Sequence, residues 1–359
     1  DAEGLSFEAK CILASTTWMA VWWVTECVPI SVTALLPIIL FPLTGGMDLS
    51  TTTAAYGHKL VFLFVGGFLI ALAIEKWHLH KRLALNIIRV TGSNKSRVIL
   101  GFMLATAFLS MWISNTATSI MILPVGLAII SQLKDDPKTK ENENEVFGKS
   151  LMISIAYSAS IGGMATLIGT PPNMVLAGVV EESYGIKLNM FDWMKFGVPL
   201  SSFLLIICWL YLTKIAFKFK NEEFSAGKEE ILRQINKLGR FSNEEIKVLI
   251  VFTLTALGWI FRGSIETIFP MIDDTIIAIF FAVTLFIIPT KNHKTNTTLL
   301  VWNDTVKLPW GILILFGGGM AIASAFGKSG LALWIADLLQ NLNDVSLFLI
   351  ILIIVTSIN

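Results

Sequence analysis

The chain has 359 residues, of which 54% are hydrophobic and 15% charged, with a formal net charge of +1. Soluble domains carry about 25% charged residues, and long uncharged apolar stretches indicate transmembrane helices. The composition therefore excludes an ordinary soluble domain and predicts an all-α polytopic membrane protein. The near-zero net charge gives no support for a nucleic-acid partner.

Nearly uncharged apolar runs follow one another along the chain, at 11–43, 60–74, 98–133, 150–180, 196–213, 248–261, 275–290, 308–326 and 345–358. Of the 27 Lys and Arg residues, 21 lie in the connections 76–97, 134–149, 214–247 and 291–307. The positive-inside rule places these four connections in the cytoplasm. We therefore expect a multi-pass protein of the plasma (inner) membrane, in which the charged segment 219–243 is a cytoplasmic linker.

The run 98–133 is predicted to fold back on itself. Its 36 residues would form a single helix of about 54 Å, whereas the hydrocarbon core is about 30 Å thick. Charge counting also requires both ends of the run on the cytoplasmic side. Six small residues, Ser114 to Ser119, lie near its middle and form the natural turn. The residues alone leave open a re-entrant hairpin or two full crossings.

A second interruption lies in the run 150–180, at Gly169-Thr170-Pro171-Pro172-Asn173. Proline lacks the main-chain donor and disfavours helical geometry in the preceding residue, which predicts a broken helix. Broken helices in membranes line cavities. Both breaks are expected to expose carbonyl oxygens at one helix end, which with hydroxyls suit Na⁺, and free N–H groups at the next helix start, which suit a carboxylate. The alternatives are an ordinary Ser/Asn/Thr helix cap at 114–116 and a simple proline kink at 171–172.

The sequence also contains an internal repeat. Residues 64–79 (FVGGFLIALAIEKWHL) align with 316–331 (FGGGMAIASAFGKSGL) at an offset of 252. Charge counting gives the two copies opposite orientations, which predicts inverted-topology repeats at 1–218 and 244–359. The alternative is chance, because glycine-rich helix faces often look alike.

Motifs of enzymes are missing from the sequence. The "GKS" at 327–329 would need glycine at position 322 to form a phosphate loop, and Ile322 stands there. The four histidines do not have the spacing of a metal cluster, and the apolar runs hold no pairing of nucleophile and base. We therefore assign no catalytic residue and expect that the protein is not an enzyme.

Four motifs together carry a family resemblance: "TECVPISVTALLP" (25–37), "SNT" (114–116), "GTPPN" (169–173) and "LPWGILILFGGG" (308–319). In this order they resemble the divalent anion–sodium symporter family, the INDY-like di- and tricarboxylate transporters. The resemblance implies that Ser-Asn-Thr lies at the tip of a re-entrant hairpin facing a broken helix, with the same elements inverted in the second half. It also implies a homodimer in which a transport domain moves against a scaffold as an elevator.

Carried over to these positions, the resemblance implies a sodium site of Ser110, Ser114, Asn115 and Gly169. It implies that Asn115, Thr116 and Thr170 bind the substrate. Pro171, Pro172 and Asn173 would form the supporting loop. The offset of 252 places a second Ser-Asn-Thr near position 366, so the second repeat is expected to be truncated at Asn359, before that motif.

These features predict a secondary active transporter of C4-dicarboxylates (succinate, malate, fumarate), with Na⁺ as coupling ion. Two alternatives within transport are a sodium-independent dicarboxylate exchanger and a relative that carries citrate, sulfate or another oxyanion. An alternative of another class is a membrane receptor or sensor, although the 25-residue linker holds no signalling domain.

Overall fold

The computed structural model describes residues 4–92, 94–132, 143–217, 225–291 and 297–339, and all regular elements in these ranges are helices. The first nine are α1 (Phe7–Thr25), α2 (Ile30–Thr33), α3 (Leu36–Thr44), α4 (Leu49–Tyr56), α5 (Lys59–Lys76), α6 (Leu79–Thr91), α7 (Lys95–Ser110), α8 (Asn115–Ile130) and α9 (Glu143–Gly163). The others are α10 (Pro171–Tyr184), α11 (Met190–Leu210), α12 (Ser225–Leu238), α13 (Asn243–Ile260), α14 (Arg262–Glu266), α15 (Asp274–Ile287), α16 (Trp310–Lys328) and α17 (Leu331–Leu339). A π-helical turn, Tyr211–Ala216, extends α11, and a 3₁₀ turn, Trp302–Lys307, precedes α16.

Within the described residues, three helical stretches are long and apolar enough to cross a membrane: Leu49–Lys76, Met190–Ala216 and Trp310–Lys328. Shorter apolar helices accompany them, among them Asn115–Ile130 with 16 residues. That length corresponds to about 24 Å, less than the roughly 30 Å of a hydrocarbon core. The predicted all-α membrane protein is confirmed for the described part of the chain, while the run 345–358 lies outside it.

The described chain separates into two compact units. Among the described residues, the first comprises 4–58, 178–186 and 310–339. Its core is built by side chains of α1, α3, α16 and α17, including the fully buried Ile12, Met19 and Phe41. Within this unit α16 packs closely on α2, since a Cβ at Gly318 would lie 2.5 Å from the main-chain oxygen of Ala34.

The second unit comprises Lys59–Ala177 and Lys187–Pro309. Helix α7 packs along α9, and α5 packs along α15. A Cβ at Gly66 would lie 2.7 Å from the Cβ of Ala278, so the α5–α15 contact depends on glycine at that position. Both helix breaks lie in this unit, at 111–114 and 164–170. Each lies a few residues before its predicted position, because Ser114 and Pro171 stand at helix starts and the residues after them are helical.

The repeat predicted from the sequence falls on α5 and α16, both of which use glycine for close helix contacts. The inverted orientation of the two copies and the boundaries 1–218 and 244–359 stay predictions. In the predicted linker 219–243, residues 219–224 lie outside the described part. The remainder contains α12, which packs against α6 and α8. The described part of the linker, from residue 225 onward, is therefore folded as part of the second unit.

Candidate functional site

The first break separates α7 from α8. Helix α7 ends at Ser110, a four-residue turn follows in which the Ile113 N–H still donates to Leu109 O at 3.0 Å, and α8 begins at Asn115. The hydroxyl of Ser114 caps α8, accepting a hydrogen bond from the Ala117 N–H at 3.3 Å. Serine favours this position because its side chain replaces a missing helical acceptor. The Ser-Asn-Thr motif is thus the start of a helix.

The second break separates α9, which ends at Gly163, from α10, which begins at Pro171. Proline is tolerated in the first turn of a helix, where its missing N–H costs no helical hydrogen bond. The buried amide of Asn173 holds the connection in place: its Nδ2 donates to Gly163 O at 2.9 Å and to Thr166 O at 2.7 Å. These two bonds tie Asn173 to both ends of the connection; the supporting role predicted for it in a binding site stays a prediction.

Two contacts join the two breaks, and a third lies within the second break. The hydroxyl of Thr166 donates to Met111 O at 2.5 Å. A Cβ added to Gly163 would overlap the amide of Asn115, and one added to Gly169 would overlap the carbonyl of Gly163. Asn115 and Gly169, both predicted sodium ligands, therefore each lie directly against Gly163.

Beside the contact of Asn115 with Gly163, oxygen acceptors outnumber the hydroxyl proton available to them. The fully buried Ser110 Oγ lies 2.7 Å from Asn115 Oδ1 and 2.7 Å from Ala159 O. A hydroxyl carries one proton, so it can donate to one of these two acceptors and leaves the other oxygen facing lone pairs. A cation between the oxygens would offset their repulsion. Side-chain and carbonyl oxygens are the ligands that a hard cation such as Na⁺ prefers.

Donors for an anion are available at the start of α8. Helix geometry leaves the first N–H groups without a helical acceptor. The Ser114 cap takes that of Ala117, which leaves those of Asn115 and Thr116 for a ligand. The positive end of the helix dipole adds to the attraction for a carboxylate.

The expectation that both helix starts present free N–H groups is wrong for α10. Pro171 and Pro172, its first two residues, have no N–H, and the Asn173 N–H donates to Thr170 O at 3.2 Å. An anion at α10 would meet the helix dipole without main-chain donors from these three residues. This correction follows from proline chemistry and assigns the N–H donors of the site to α8.

The remaining predicted residues are placed as follows. Thr116 lies in the first turn of α8 and is exposed, whereas Thr170 is half-buried directly before α10. Pro171 is half-buried and Pro172 exposed. Sodium and substrate binding by the predicted residues stays a prediction. The runs that hold both breaks, 98–132 and 150–180, contain no Lys, Arg, Asp or Glu, so the site consists of neutral groups.

Sequence reasoning missed three contributors: the Ala159 carbonyl, the close contact at Gly163 and the Thr166 hydroxyl. The polar residue Thr166 within the apolar stretch MATLI was a usable signal. The Ala159 carbonyl had no signal, because every residue carries the same main-chain oxygen.

Tryptophan side chains make fixed contacts at both breaks. Trp112, inside the first break, stacks on Trp259 with ring centroids 6.0 Å apart and planes 2° apart. The indole N–H of Trp193 donates to Met164 O, inside the second break, at 3.0 Å. Large rings with fixed partners hold the irregular backbone in one conformation.

Sequence comparison relates the chain to known proteins. The family described as "Sodium:sulfate symporter transmembrane region" matches residues 1–359. The sodium-dependent dicarboxylate transporter SdcS of Staphylococcus aureus (strain bovine RF122 / ET3-1) is 42% identical over 356 residues, covering 98% of this chain and 68% of the relative. The SdcS proteins of strains USA300 and NCTC 8325 / PS 47 show the same identity and coverage. The family predicted from the four motifs is confirmed: the chain belongs to the sodium:sulfate symporter transmembrane family.

Proposed function

We propose that the protein is a Na⁺-coupled symporter of C4-dicarboxylates such as succinate, malate and fumarate. The observation that carries the proposal is the group of three oxygens, Ser110 Oγ, Asn115 Oδ1 and Ala159 O, that share one hydroxyl proton beside the start of α8. Relatives at 42% identity bear the name sodium-dependent dicarboxylate transporter, which supports the same cation and the same class of anion.

In this proposal the sodium ligands are Ser110, Ser114, Asn115 and Gly169, and Ala159 adds a carbonyl oxygen. The substrate carboxylate accepts from the start of α8, at Asn115 and Thr116, with Thr170 beside it. Because charged side chains are missing from both breaks, bound Na⁺ supplies the positive charge that a dicarboxylate requires. Binding of cation and anion is therefore cooperative: each raises the affinity for the other by the same factor.

Uptake of labelled succinate into proteoliposomes tests the coupling. We expect uptake to stop when choline replaces Na⁺, and the KM for succinate to fall as Na⁺ rises. Uptake that continues unchanged in choline would refute symport and support sodium-independent exchange. Counterflow with unlabelled succinate, citrate or sulfate then identifies the preferred anion. Since the chain spans 68% of the length of its relatives, the full-length protein should be used.

We further propose an elevator mechanism in a homodimer. The division into two compact units, with both breaks in the second, supports a transport domain that moves as one body. Mass measurement in detergent by light scattering tests the dimer. A disulfide between the two units, introduced by paired cysteines, should stop uptake until it is reduced. Uptake that persists with the cross-link in place contradicts the elevator.

We also propose that the protein lies in the plasma membrane with the 219–243 segment in the cytoplasm. The concentration of Lys and Arg in 214–247 supports this orientation. A cysteine placed at exposed Lys237 in α12 should react with an impermeant thiol reagent in inside-out vesicles. Labelling in intact cells instead would reverse the topology.

A further inference from the structure

Three exposed basic residues lie at the ends of three helices of the second unit. Arg89 belongs to the last turn of α6, Arg97 to the first turn of α7, and Lys214 to the π-helical turn that extends α11. Within the described part of the chain, none of these three side chains takes part in a hydrogen bond or an ion pair. We call the three residues the α6–α11 cluster.

Helix packing brings the segments of the cluster together. Helix α6 packs along α7. The Arg97 side chain folds back over the connection between them, since a Cβ at Gly92 would lie 2.9 Å from Arg97 Cδ. The indole N–H of Trp209 donates to Ser96 O at 2.9 Å, which ties the end of α11 to the residue before Arg97. Lys214 follows Trp209 by five residues.

The charges on these segments have one sign. Helices α6 and α7 and residues 193–217 contain no Asp or Glu. Three carboxylates on helices that pack against them already have cationic partners: the pairs are Glu145–Lys149 in α9, Glu230–Arg233 in α12, and Glu245 of α13 with Arg82. The α6–α11 cluster therefore presents three positive charges without an acidic group on its own segments, which attracts an anion.

Large apolar side chains are exposed directly beside these charges. Val90, next to Arg89, is 80% exposed, and Ile215, next to Lys214, is 66% exposed. The exposed Tyr211 is of a residue type enriched at the boundary between lipid headgroups and acyl chains. A soluble anion would leave the apolar side chains uncovered. A phospholipid covers them with its acyl chains while its phosphate meets the basic groups.

We propose that the α6–α11 cluster binds the phosphate headgroup of an anionic phospholipid, with Val90, Tyr211 and Ile215 against the acyl chains. Charge counting places 76–97 and 214–247 on the cytoplasmic side, and the cytoplasmic leaflet carries anionic lipids. Each Lys or Arg near an anionic surface strengthens binding about fivefold. The three together therefore favour an anionic over a zwitterionic lipid by about 100-fold.

Lipid binding to the purified full-length protein in a neutral detergent tests the site. Titration with phosphatidylglycerol and with phosphatidylcholine of the same acyl chains, read by native mass spectrometry, should show a preference for phosphatidylglycerol. Replacing the whole cluster by glutamine should remove this preference, and excess glycerol phosphate should not displace the lipid. The matched control replaces three exposed lysines elsewhere by glutamine and should keep the preference: Lys10, Lys187 and Lys328.

Fluorescence quenching locates the lipid in a protein that keeps all three charges. Val90→Cys carries a fluorophore beside the cluster, in a background in which Cys11, Cys27 and Cys208 are serine. In nanodiscs, spin-labelled phosphatidylglycerol should quench it more strongly than spin-labelled phosphatidylcholine, and salt should reduce the difference. Leu43→Cys, at an 81% exposed position of α3, is the matched control and should be quenched equally by both lipids.

Three results would overturn the site. They are equal binding of the two lipids by the wild type, a preference for phosphatidylglycerol that survives in the glutamine variant, and equal quenching by the two lipids at Val90→Cys. The quenching result decides the matter even if the glutamine variant fails to fold, because the labelled protein retains the complete cluster.

Discussion

The hydroxyl of Thr166 donates a hydrogen bond to the main-chain oxygen of Met111, 55 positions earlier in the chain, at 2.5 Å. This bond joins the connection between α9 and α10 to the connection between α7 and α8. Because neither connection is part of a continuous helix, their relative position depends on such side-chain contacts. The arrangement of the oxygens at Ser110 and Asn115 therefore depends on Thr166, although the Thr166 hydroxyl bonds to neither of these residues.

Replacing Thr166 by valine should weaken Na⁺ binding. The change keeps the shape of the side chain and leaves Met111 O without its donor, at a cost of about 1–3 kcal/mol. We expect the half-saturating Na⁺ concentration for succinate uptake to rise several-fold. Thr255→Val is the matched control, because Thr255 is equally buried and its hydroxyl bonds within α13, to Val251 O. Equal Na⁺ dependence in the two variants would contradict the prediction.

Replacing Gly163 by alanine should abolish Na⁺-dependent uptake. The added Cβ would overlap the Asn115 amide, which forces that side chain away from Ser110. Gly148→Ala, also in α9, provides the control, since a Cβ there would make an ordinary contact of 3.5 Å with Ile130. Both variants should reach the membrane at wild-type levels, measured by quantitative blotting. Full uptake by Gly163→Ala would show that the position of Asn115 is unimportant for transport.

The stack of Trp112 on Trp259 should couple the two residues energetically. We expect a double-mutant cycle of the leucine variants to give about 1 kcal/mol of interaction, measured by denaturant unfolding in detergent. Each single variant should also reduce Na⁺ affinity, because Trp112 lies within the first break. Trp18→Leu, in the half-exposed edge-to-face pair with Trp22, should leave Na⁺ affinity unchanged. Additive energies at Trp112 and Trp259 would exclude the supporting role.

The buried ion pair between Arg82 and Glu245 should dominate the stability of the α6–α13 contact. The guanidinium donates to both carboxylate oxygens, at 2.9 and 3.1 Å, and also to the main-chain oxygens of Leu238, Gly239 and Arg240. Removing one partner leaves a buried charge and should cost about 3–5 kcal/mol. We expect Arg82→Met to lower the unfolding temperature more than Lys81→Met, the exposed neighbour.

Adding Glu245→Leu to Arg82→Met is the decisive comparison for this pair. The double variant has no unpaired buried charge, so it should recover much of the stability lost in the single variant. A double variant no more stable than Arg82→Met alone would show that the lost contacts, and not an unpaired buried charge, determine the loss.

The helix breaks were predictable because their signals are local. Ser114 is a preferred capping residue, and Pro171-Pro172 must stand at a helix start or a kink, whatever the rest of the chain does. The overlong run 98–133 required an interruption from its length alone. These arguments use a few neighbouring residues and the thickness of a membrane, and so they need no knowledge of tertiary packing.

The contacts between the breaks were beyond such arguments. Ala159 O reaches Ser110 across 49 positions through the packing of α7 on α9, and a main-chain oxygen leaves no mark in the sequence. Free N–H donors were wrongly expected at the start of α10. The first N–H groups of a helix are usually free, but the first two residues of α10 are prolines, which have no N–H. Local chemistry predicts where a helix ends. Which group bonds to the main-chain N–H and C=O groups left free at that end follows from the packing of distant segments.

The close contact of Gly163 and Gly169 has a consequence for ion selectivity. Backbone lies directly against backbone there, with no side chain that could rotate to enlarge the space. Gly163 also lies against the amide of Asn115, so the space beside the oxygens of Ser110 and Asn115 is bounded by backbone on that side. If the proposed sodium site lies there, this boundary favours a small ion, and K⁺, abundant in the cytoplasm, would compete poorly with Na⁺ for the same position.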